Sequence, residues 1–410
     1  MPNSTVTTKC CIAGGGPAGM MLGFLLARAG VDVVVLEKHA DFFRDFRGDT
    51  IHPSTLELMY ELGLLDEFLM LPHQKLDRLA VQVGDERVRM IDLTHLPTHC
   101  KYIALMPQWD FLNFLAAHGT RYKGFDLRMQ ADATGLIEEG GRVVGLRART
   151  PDGELTIRAD LVVGADGRHS TVRAAAGFKS DDYGAPMDVL WFRLPRKETD
   201  ETETFGHIEA GAMMIMLNRG DYWQCAFVIP KGGIDRVQAD GLDAFRNRVV
   251  MMSPFLADRA SELRSWDDIK LLTVTVDRLR QWWRPGLLCI GDAAHAMSPI
   301  GGVGINLAIQ DAVAAANCLA APLKAGTVSD DDLSAVQARR TFPVRFTQAL
   351  QLTMQNQIIR RALASTQKPK PPLLLKLFDM IPLLRRIPGR LLAVGVRPEH
   401  IHTPDVLSAP

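Results

Sequence analysis

Three short clusters in this 410-residue chain combine glycines with a carboxylate at spacings that suit a phosphate-bearing cofactor. Gly14, Gly16 and Gly19 form a G-x-G-x-x-G turn after the apolar run Cys10-Cys11-Ile12-Ala13, with Pro17 and Ala18 inside it. The first glycine permits a tight turn, the second lets backbone approach a pyrophosphate, and the third lets a helix pack on a strand. The helix that follows aims free N–H groups and the positive end of its dipole at the phosphates. Glu37, followed by Lys38, closes the next apolar run, where a carboxylate accepts hydrogen bonds from ribose hydroxyls. A second cluster is Asp166-Gly167, with Arg168, Ser170 and Arg173 close behind. A third, Gly291-Asp292-Ala293-Ala294-His295, precedes Pro299 and a glycine-rich loop carrying Gly302, Gly304 and Asn306. His95 and His99 have a four-residue spacing, but Pro97 between them breaks the helix a metal pair would need, so no metal site is expected.

These clusters need strands and helices to hold them. The stretches 8–13 and 31–36 are short and rich in β-branched residues, and 17–29 between them has apolar positions suited to burial as a helix. A strand, helix and strand in that order predict a right-handed crossover in a parallel sheet. The runs 160–167 and 287–291 read as two further buried strands, each ending at a carboxylate cluster. Residues 108–117 predict a helix, 127–158 a β-meander, and 76–93 a hairpin around Gly84-Asp85, in a different sheet. From about 179 to 279 the pattern changes to the strands of a mixed or antiparallel sheet, with a helix over 242–250. After 303 comes a long apolar helix, then a helical region interrupted by prolines. This reading divides the chain into a discontinuous cofactor domain (1–75, 101–178 and 280–330), a substrate domain (76–100 and 179–279) and a helical C-terminal region (331–410).

Composition removes several function classes. Lysine plus arginine equals aspartate plus glutamate at 47 each, and no basic run interleaves with aromatics, so a nucleic-acid partner is not expected. The six cysteines show no C-x-x-C spacing, which suits reduced, buried thiols. The N-terminus lacks the apolar core of a signal peptide and no run of uncharged apolar residues is long enough for a span, so a cytoplasmic location is expected.

The three clusters, in this order and with these intervening strands, resemble the single-component FAD-dependent aromatic hydroxylases, the family typified by p-hydroxybenzoate hydroxylase. The resemblance covers roughly residues 5 to 325. It implies an α/β fold: an FAD-binding Rossmann-like domain of the glutathione-reductase type, an inserted mixed β-sheet substrate domain and a helical C-terminus. It also implies an enzyme that uses NAD(P)H and O2 to hydroxylate a small aromatic or phenolic compound through a flavin C4a-hydroperoxide. By position, Gly14, Gly16, Pro17, Ala18, Gly19, Glu37 and Lys38 would serve the ADP half of FAD, and Asp292 the ribityl or pyrophosphate region. Pro299, Gly302, Gly304 and Asn306 would lie against the isoalloxazine ring, and Asp166 would serve FAD and the passing nicotinamide cofactor. Arg47 and Gln108 match an arginine and a glutamine that the family uses at the flavin; Arg44 is a further candidate. The nicotinamide would bind transiently, since one dinucleotide fold is present; the sequence does not choose NADPH over NADH.

No catalytic residue can be assigned from the sequence. Trp191, His207, Met214, Met216, Tyr222 and Phe227 are candidates to line a substrate pocket, with plain sheet core as the alternative reading of each. Three rival functions share the scaffold. A flavin-dependent halogenase would carry a W-x-W-x-I-P pattern, whereas residues 223–230 read WQCAFVIP and lack the second tryptophan. An isoprenoid-chain reductase is compatible with the oily segment LLLKLFDMIPLLRR. That segment suits a peripheral membrane contact or a helix packed over the FAD domain, and the packed helix is the expectation. A non-catalytic binding protein would not need intact Gly-Asp and Asp-Gly clusters.

Overall fold

The computed structural model describes residues 4–43, 50–200 and 205–407. Two sheets organise it. In the first, strands Leu287–Cys289, Gly153–Gly164, Ser4–Ala13, Val33–Leu36 and Phe125–Arg128 lie side by side, all parallel. In the four strands other than Phe125–Arg128, the residues 10–13, 33–36, 161–164 and 287–289 are buried on both faces, which is why these stretches read as continuous apolar runs rather than alternating ones. The meander strands Asp132–Glu139 and Arg142–Thr150 extend Gly153–Gly164 antiparallel. Helices Pro17–Arg28 and Val303–Ala325 join one large core with this sheet. The helical stretch Ile300–Ala325 is long and apolar enough to cross a bilayer, but 72% of its apolar window is buried inside the fold, where it packs as a core helix.

Register decides where the chemistry gathers. Ala13 pairs with Gly164 on one side and Leu36 on the other, and Gly164 pairs with Cys289. The carboxyl ends of four adjacent strands therefore stop in one row. The residues that follow (Gly14, Glu37, Asp166 and Gly291) sit along a single sheet edge, the edge at which open α/β sheets bind ligands.

The second sheet has seven strands in the order Lys270–Leu272, Met187–Pro195, Tyr222–Pro230, Ala212–Asn218, Phe205–Glu209, Arg78–Val83 and Glu86–Asp92. All its pairings are antiparallel except Phe205–Glu209 with Arg78–Val83. The hairpin turning at Gly84 (φ +57°) is thus hydrogen-bonded into the same sheet as strands more than a hundred residues later. Helix Leu242–Met252 covers one face of this sheet, burying Phe245, Val249 and Met252 against it.

The C-terminal region begins with helix Asp330–Met354, started by a capping box between Ser329 and Asp332. Its buried face carries Leu333, Val336 and Val344 into the core of the first sheet. The oily segment departs from expectation. Its helix Leu373–Met380 packs on the hairpin strand Glu86–Asp92 of the second sheet, held by Arg89 to Asp379 at 3.0 Å and Lys376 to Glu86 at 2.9 Å. The hairpin's charged edge residues supply those partners, which the helical pattern alone does not reveal. Beyond it the tail returns to the first sheet's layer, where Arg28 donates to the Thr403 carbonyl at 2.7 Å and Tyr122 to Asp405 at 3.1 Å.

Candidate active site

The three clusters meet in space through glycines that leave no room for a side chain. Gly14 has φ +107°, and a Cβ there would lie 2.3 Å from the Ala165 carbonyl oxygen, beside Asp166. A Cβ on Gly19 would lie 1.9 Å from the Gly14 oxygen, so only glycine lets the helix Pro17–Arg28 start this close to the strand. A Cβ on Gly291 would touch Ala18 and Ala308, at 3.1 and 3.2 Å, which brings the third cluster against the first helix and the central one. Gly16 is different. Nothing lies within 4 Å of its absent side chain, so it faces open space at the helix start. No side chain caps that start. An open glycine below uncapped helix N–H groups is the cradle a pyrophosphate needs, and these residues fit the dinucleotide.

Around that cradle stand the carboxylates. Glu37 is buried, accepts a hydrogen bond from the His39 N–H at 3.0 Å, and presses on Gly15. Lys38 next to it points to solvent. Asp292 is about one-third exposed and lies 3.8 Å from Arg168, so the second and third clusters share an ion pair at the cleft. Gln108 opens helix Gln108–Gly119 and is half-buried. Arg44 and Arg47 lie outside the described residues.

The Asp166 carboxylate is engaged within the protein. It accepts from the Ser170 hydroxyl and from the Val172 N–H, the latter at 3.1 Å, and so ties down the start of helix Thr171–Ala175. Burial pushes its pKa up, against these hydrogen bonds. Arg173 on that helix reaches Asp277 at 3.2 Å, and Asp277 accepts the Ala296 N–H at 3.1 Å, locking the Asp-Gly turn to the loop after Gly291.

The loop after Pro299 takes two left-handed residues, Gly301 (φ +76°) and Gly302 (φ +63°), before helix Val303–Ala325 starts. Asn306 is expected to lie against a flavin ring. Its side chain is instead spent inside the protein: it accepts from the His52 N–H at 2.9 Å and the Thr55 hydroxyl at 2.8 Å, and donates to the Thr50 and Gly302 carbonyls. These bonds hold the loop in shape. Thr50 adds a hydrogen bond to Gly302 O at 3.0 Å. Gly302 and Gly304 stand at the helix start, whose dipole stabilises negative charge on a ring placed before it, by ~0.3–1 kcal/mol when exposed and more when buried.

Strand parity sorts the substrate candidates. Directly paired residues share a face of the sheet. Trp191 pairs with Ala226, Ala226 with Ile215, and these pack with Val228, Met213 and Ile300 of the glycine loop. Tyr222 is on the same face, with the Arg193 guanidinium 5.0 Å from its ring centre. Met214, Met216 and Phe227 turn the other way, into the core under helix Leu242–Met252, and His207 shares their face, its Nδ1 bonded to the Met252 carbonyl. These four are corrected to the back of the sheet. The sequence shows that residues alternate, but not which set faces the glycine loop. The facing set adds Met213, Ile215 and Gln224, which the sequence reading passed over.

Also missed is a buried charged group behind Gly291. Asp311, on the central helix, accepts from the Gly291 N–H at 3.0 Å, from His295 Nε2 at 2.5 Å and from Arg340 Nε at 2.8 Å. Burial opposes the charge of Asp311, but His295 and Arg340 together hold its pKa below the usual value. A lone aspartate in the apolar run INLAIQDAVAAANC is the signal that marks it. Among the described residues no group of three or more His, Cys, Asp or Glu side chains is gathered as metal ligands would be.

Comparison with known proteins agrees with this geometry. Residues 7–349 match the family described as FAD binding domain. The 6-methylpretetramide 4-monooxygenase of Streptomyces rimosus is 34% identical over 343 residues, covering 83% of this chain and 81% of that protein. A rifampicin monooxygenase of Streptomyces venezuelae is 30% identical over 73% of this chain; the chain spans 61% of that protein's length. Among solved structures, the p-nitrophenol 4-monooxygenase of Pseudomonas putida superposes with a TM-score of 0.75 at 21% identity, over 96% of each chain. With the three clusters on one sheet edge and a second sheet facing the glycine loop, the chain belongs to the FAD-dependent aromatic monooxygenases.

Proposed function

We propose that this enzyme hydroxylates a planar, multi-ring phenolic compound, with NAD(P)H as reductant and O2 as oxygen source. The observation that carries the reading is the facing surface of the second sheet. Trp191, Met213 and Ile215 form an apolar floor packed with Ile300 of the glycine loop, and the polar groups of Arg193, Tyr222 and Gln224 stand at one end. An apolar floor with polar groups at one end suits a flat aromatic body that carries oxygen substituents at one edge. The relative that acts on 6-methylpretetramide supports a large aromatic substrate.

The chain's own residues have three tasks here. Gly14, Gly16, Gly19, Glu37 and Asp292 would bind the ADP and pyrophosphate part of FAD. Pro299 to Gly304 would seat its ring, kept in shape by Thr50, His52 and Asn306. The second sheet would orient the substrate and exclude water. FAD, when bound, supplies the activation of O2 and its transfer to an electron-rich ring, chemistry that needs a dry site.

The test is a screen of mono- and polycyclic phenols for stimulation of NAD(P)H oxidation by the yellow, flavin-loaded protein. The expected product gains the mass of one oxygen atom. A purified protein without flavin absorbance, or flavin-loaded protein that no aromatic compound stimulates, would refute the reading. Halide-dependent incorporation of chlorine would replace it with halogenation.

A further inference from the structure

The outer surface of the C-terminal segment is unlike the rest of the molecule. Helix Leu373–Met380 turns through Pro382–Arg385 into helix Arg386–Ala393. Its inner side is fixed. Leu375 and Ala393 are buried, and Arg385 donates to the Phe378 carbonyl at 2.7 Å. Gly389 sits so close to the hairpin that a Cβ would lie 2.7 Å from the Asp92 carbonyl. On the outer side six large apolar residues stand in solvent within fifteen positions: Leu373 (82% exposed), Met380 (75%), Leu383 (64%), Ile387 (58%), Leu377 (45%) and Ile381 (43%). A run of this kind marks an interaction surface rather than scattered surface leucines.

Charge identifies the partner. The whole chain is balanced, yet residues 366–400 carry seven lysines and arginines against two acidic residues. Lys376 and Lys368 are engaged with Glu86 and Asp85. Lys370, Arg386 and Arg390 are exposed and carry no ion pair among the described residues. A second copy docking by two-fold symmetry would set this cationic patch against itself. An anionic lipid surface satisfies both features at once: apolar side chains enter the acyl boundary while long basic side chains reach the headgroup phosphates.

We propose that the segment 370–390 seats this protein on an anionic bilayer surface, as a monotopic contact without a membrane span. The contact lies close to the candidate active site. Leu392, on the same helix pair, abuts Gly301 of the glycine loop, and its carbonyl accepts from His52 Nδ1 at 2.9 Å. A membrane-dissolved aromatic compound would therefore meet the enzyme near its flavin loop. The bilayer contact itself does not depend on the substrate assigned above.

The experiment is co-sedimentation of the full-length, FAD-loaded protein with vesicles of phosphatidylcholine alone or mixed with phosphatidylglycerol, over a salt series. Binding to the mixed vesicles is expected, and it should weaken as salt rises. The double variant Leu373→Asp/Leu383→Asp should lower partitioning by about tenfold or more, with flavin content unchanged. Lys370→Glu/Arg386→Glu should remove the preference for the anionic lipid. Absence of sedimentation with mixed vesicles at low salt overturns the proposal, as does undiminished binding of the leucine double variant. Self-association that the leucine variant abolishes, without vesicle binding, assigns the surface to a second copy and also overturns it.

Discussion

His52 gives the sharpest quantitative prediction. Its ring is fully buried between the glycine loop and the C-terminal helix, with Nδ1 2.9 Å from the Leu392 carbonyl. A carbonyl only accepts, so the neutral ring must carry its proton on Nδ1, and the buried Nε2 has no partner. Protonating Nε2 would place a charge in a site shut off from water, for which the nearby Gly301 carbonyl compensates only in part. Burial accordingly lowers the pKa from 6.5 to about 4, although the Leu392 and Gly301 carbonyls pull the other way. The sign follows. Between these values the unfolded chain binds a proton at this position and the native protein does not, so stability is full above pH 6.5 and falls as pH drops toward 4. Integrated over that window, the loss is about 3 kcal/mol, at about 1.4 kcal/mol per pH unit. His52→Asn keeps an N–H donor toward Leu392 but cannot titrate. Urea unfolding of wild type and His52→Asn, followed by tryptophan fluorescence at fixed ionic strength from neutral pH to pH 4, measures the difference. The variant should lose about 3 kcal/mol less than wild type across the window. His118, whose pKa burial also lowers, is present in both proteins and cancels. Parallel pH profiles for the two proteins would refute the argument.

Five other single substitutions probe the fold and the site. Gly19→Ala should disrupt the turn and strip FAD from the purified protein, because its methyl would overlap the Gly14 oxygen. Gly16→Ala should fold normally and still bind FAD weakly, because its methyl enters only the open cradle; wild-type flavin content in either variant would contradict the assignment. Arg340→Met leaves Asp311 a buried charge short of a partner and should cost about 3–5 kcal/mol in urea unfolding, much of it restored by adding Asp311→Leu. Trp191→Ala should raise KM for the aromatic substrate with little change in flavin content. Phe227→Ala should cost about 3–5 kcal/mol of stability and leave KM alone; the reverse pattern would invert the two faces of the sheet.

Much of this protein is determined locally. The glycine spacing at Gly14, Gly16 and Gly19 is a steric requirement of one turn, so it is visible in the sequence wherever that turn is used. The parallel strands are buried on both sides, and their unbroken apolar runs announce it. Ser170 and Ser329 cap helices within three residues of themselves. The ordered trio of clusters suffices for the family, because each cluster serves a different part of one long cofactor.

Other properties exist only in the folded chain. The register that stops Ala13, Leu36, Gly164 and Cys289 in one row depends on pairing Ala13 with Gly164 and Gly164 with Cys289, each across more than a hundred residues. Which face of the second sheet looks at the glycine loop depends on how that sheet docks; a period of two gives two equivalent sets, and packing alone separates Trp191 from Phe227. The side-chain bonds of Asn306, which the family resemblance assigns to the ring, are legible only in space, because Thr50, His52 and Thr55 arrive from a distant segment to make them. The same holds for Leu373–Met380. Its apolar residues call for a buried face, but only the hairpin beneath it decides which are covered and leaves Leu373, Leu377 and Met380 facing outward, with Ile381, Leu383 and Ile387 just beyond.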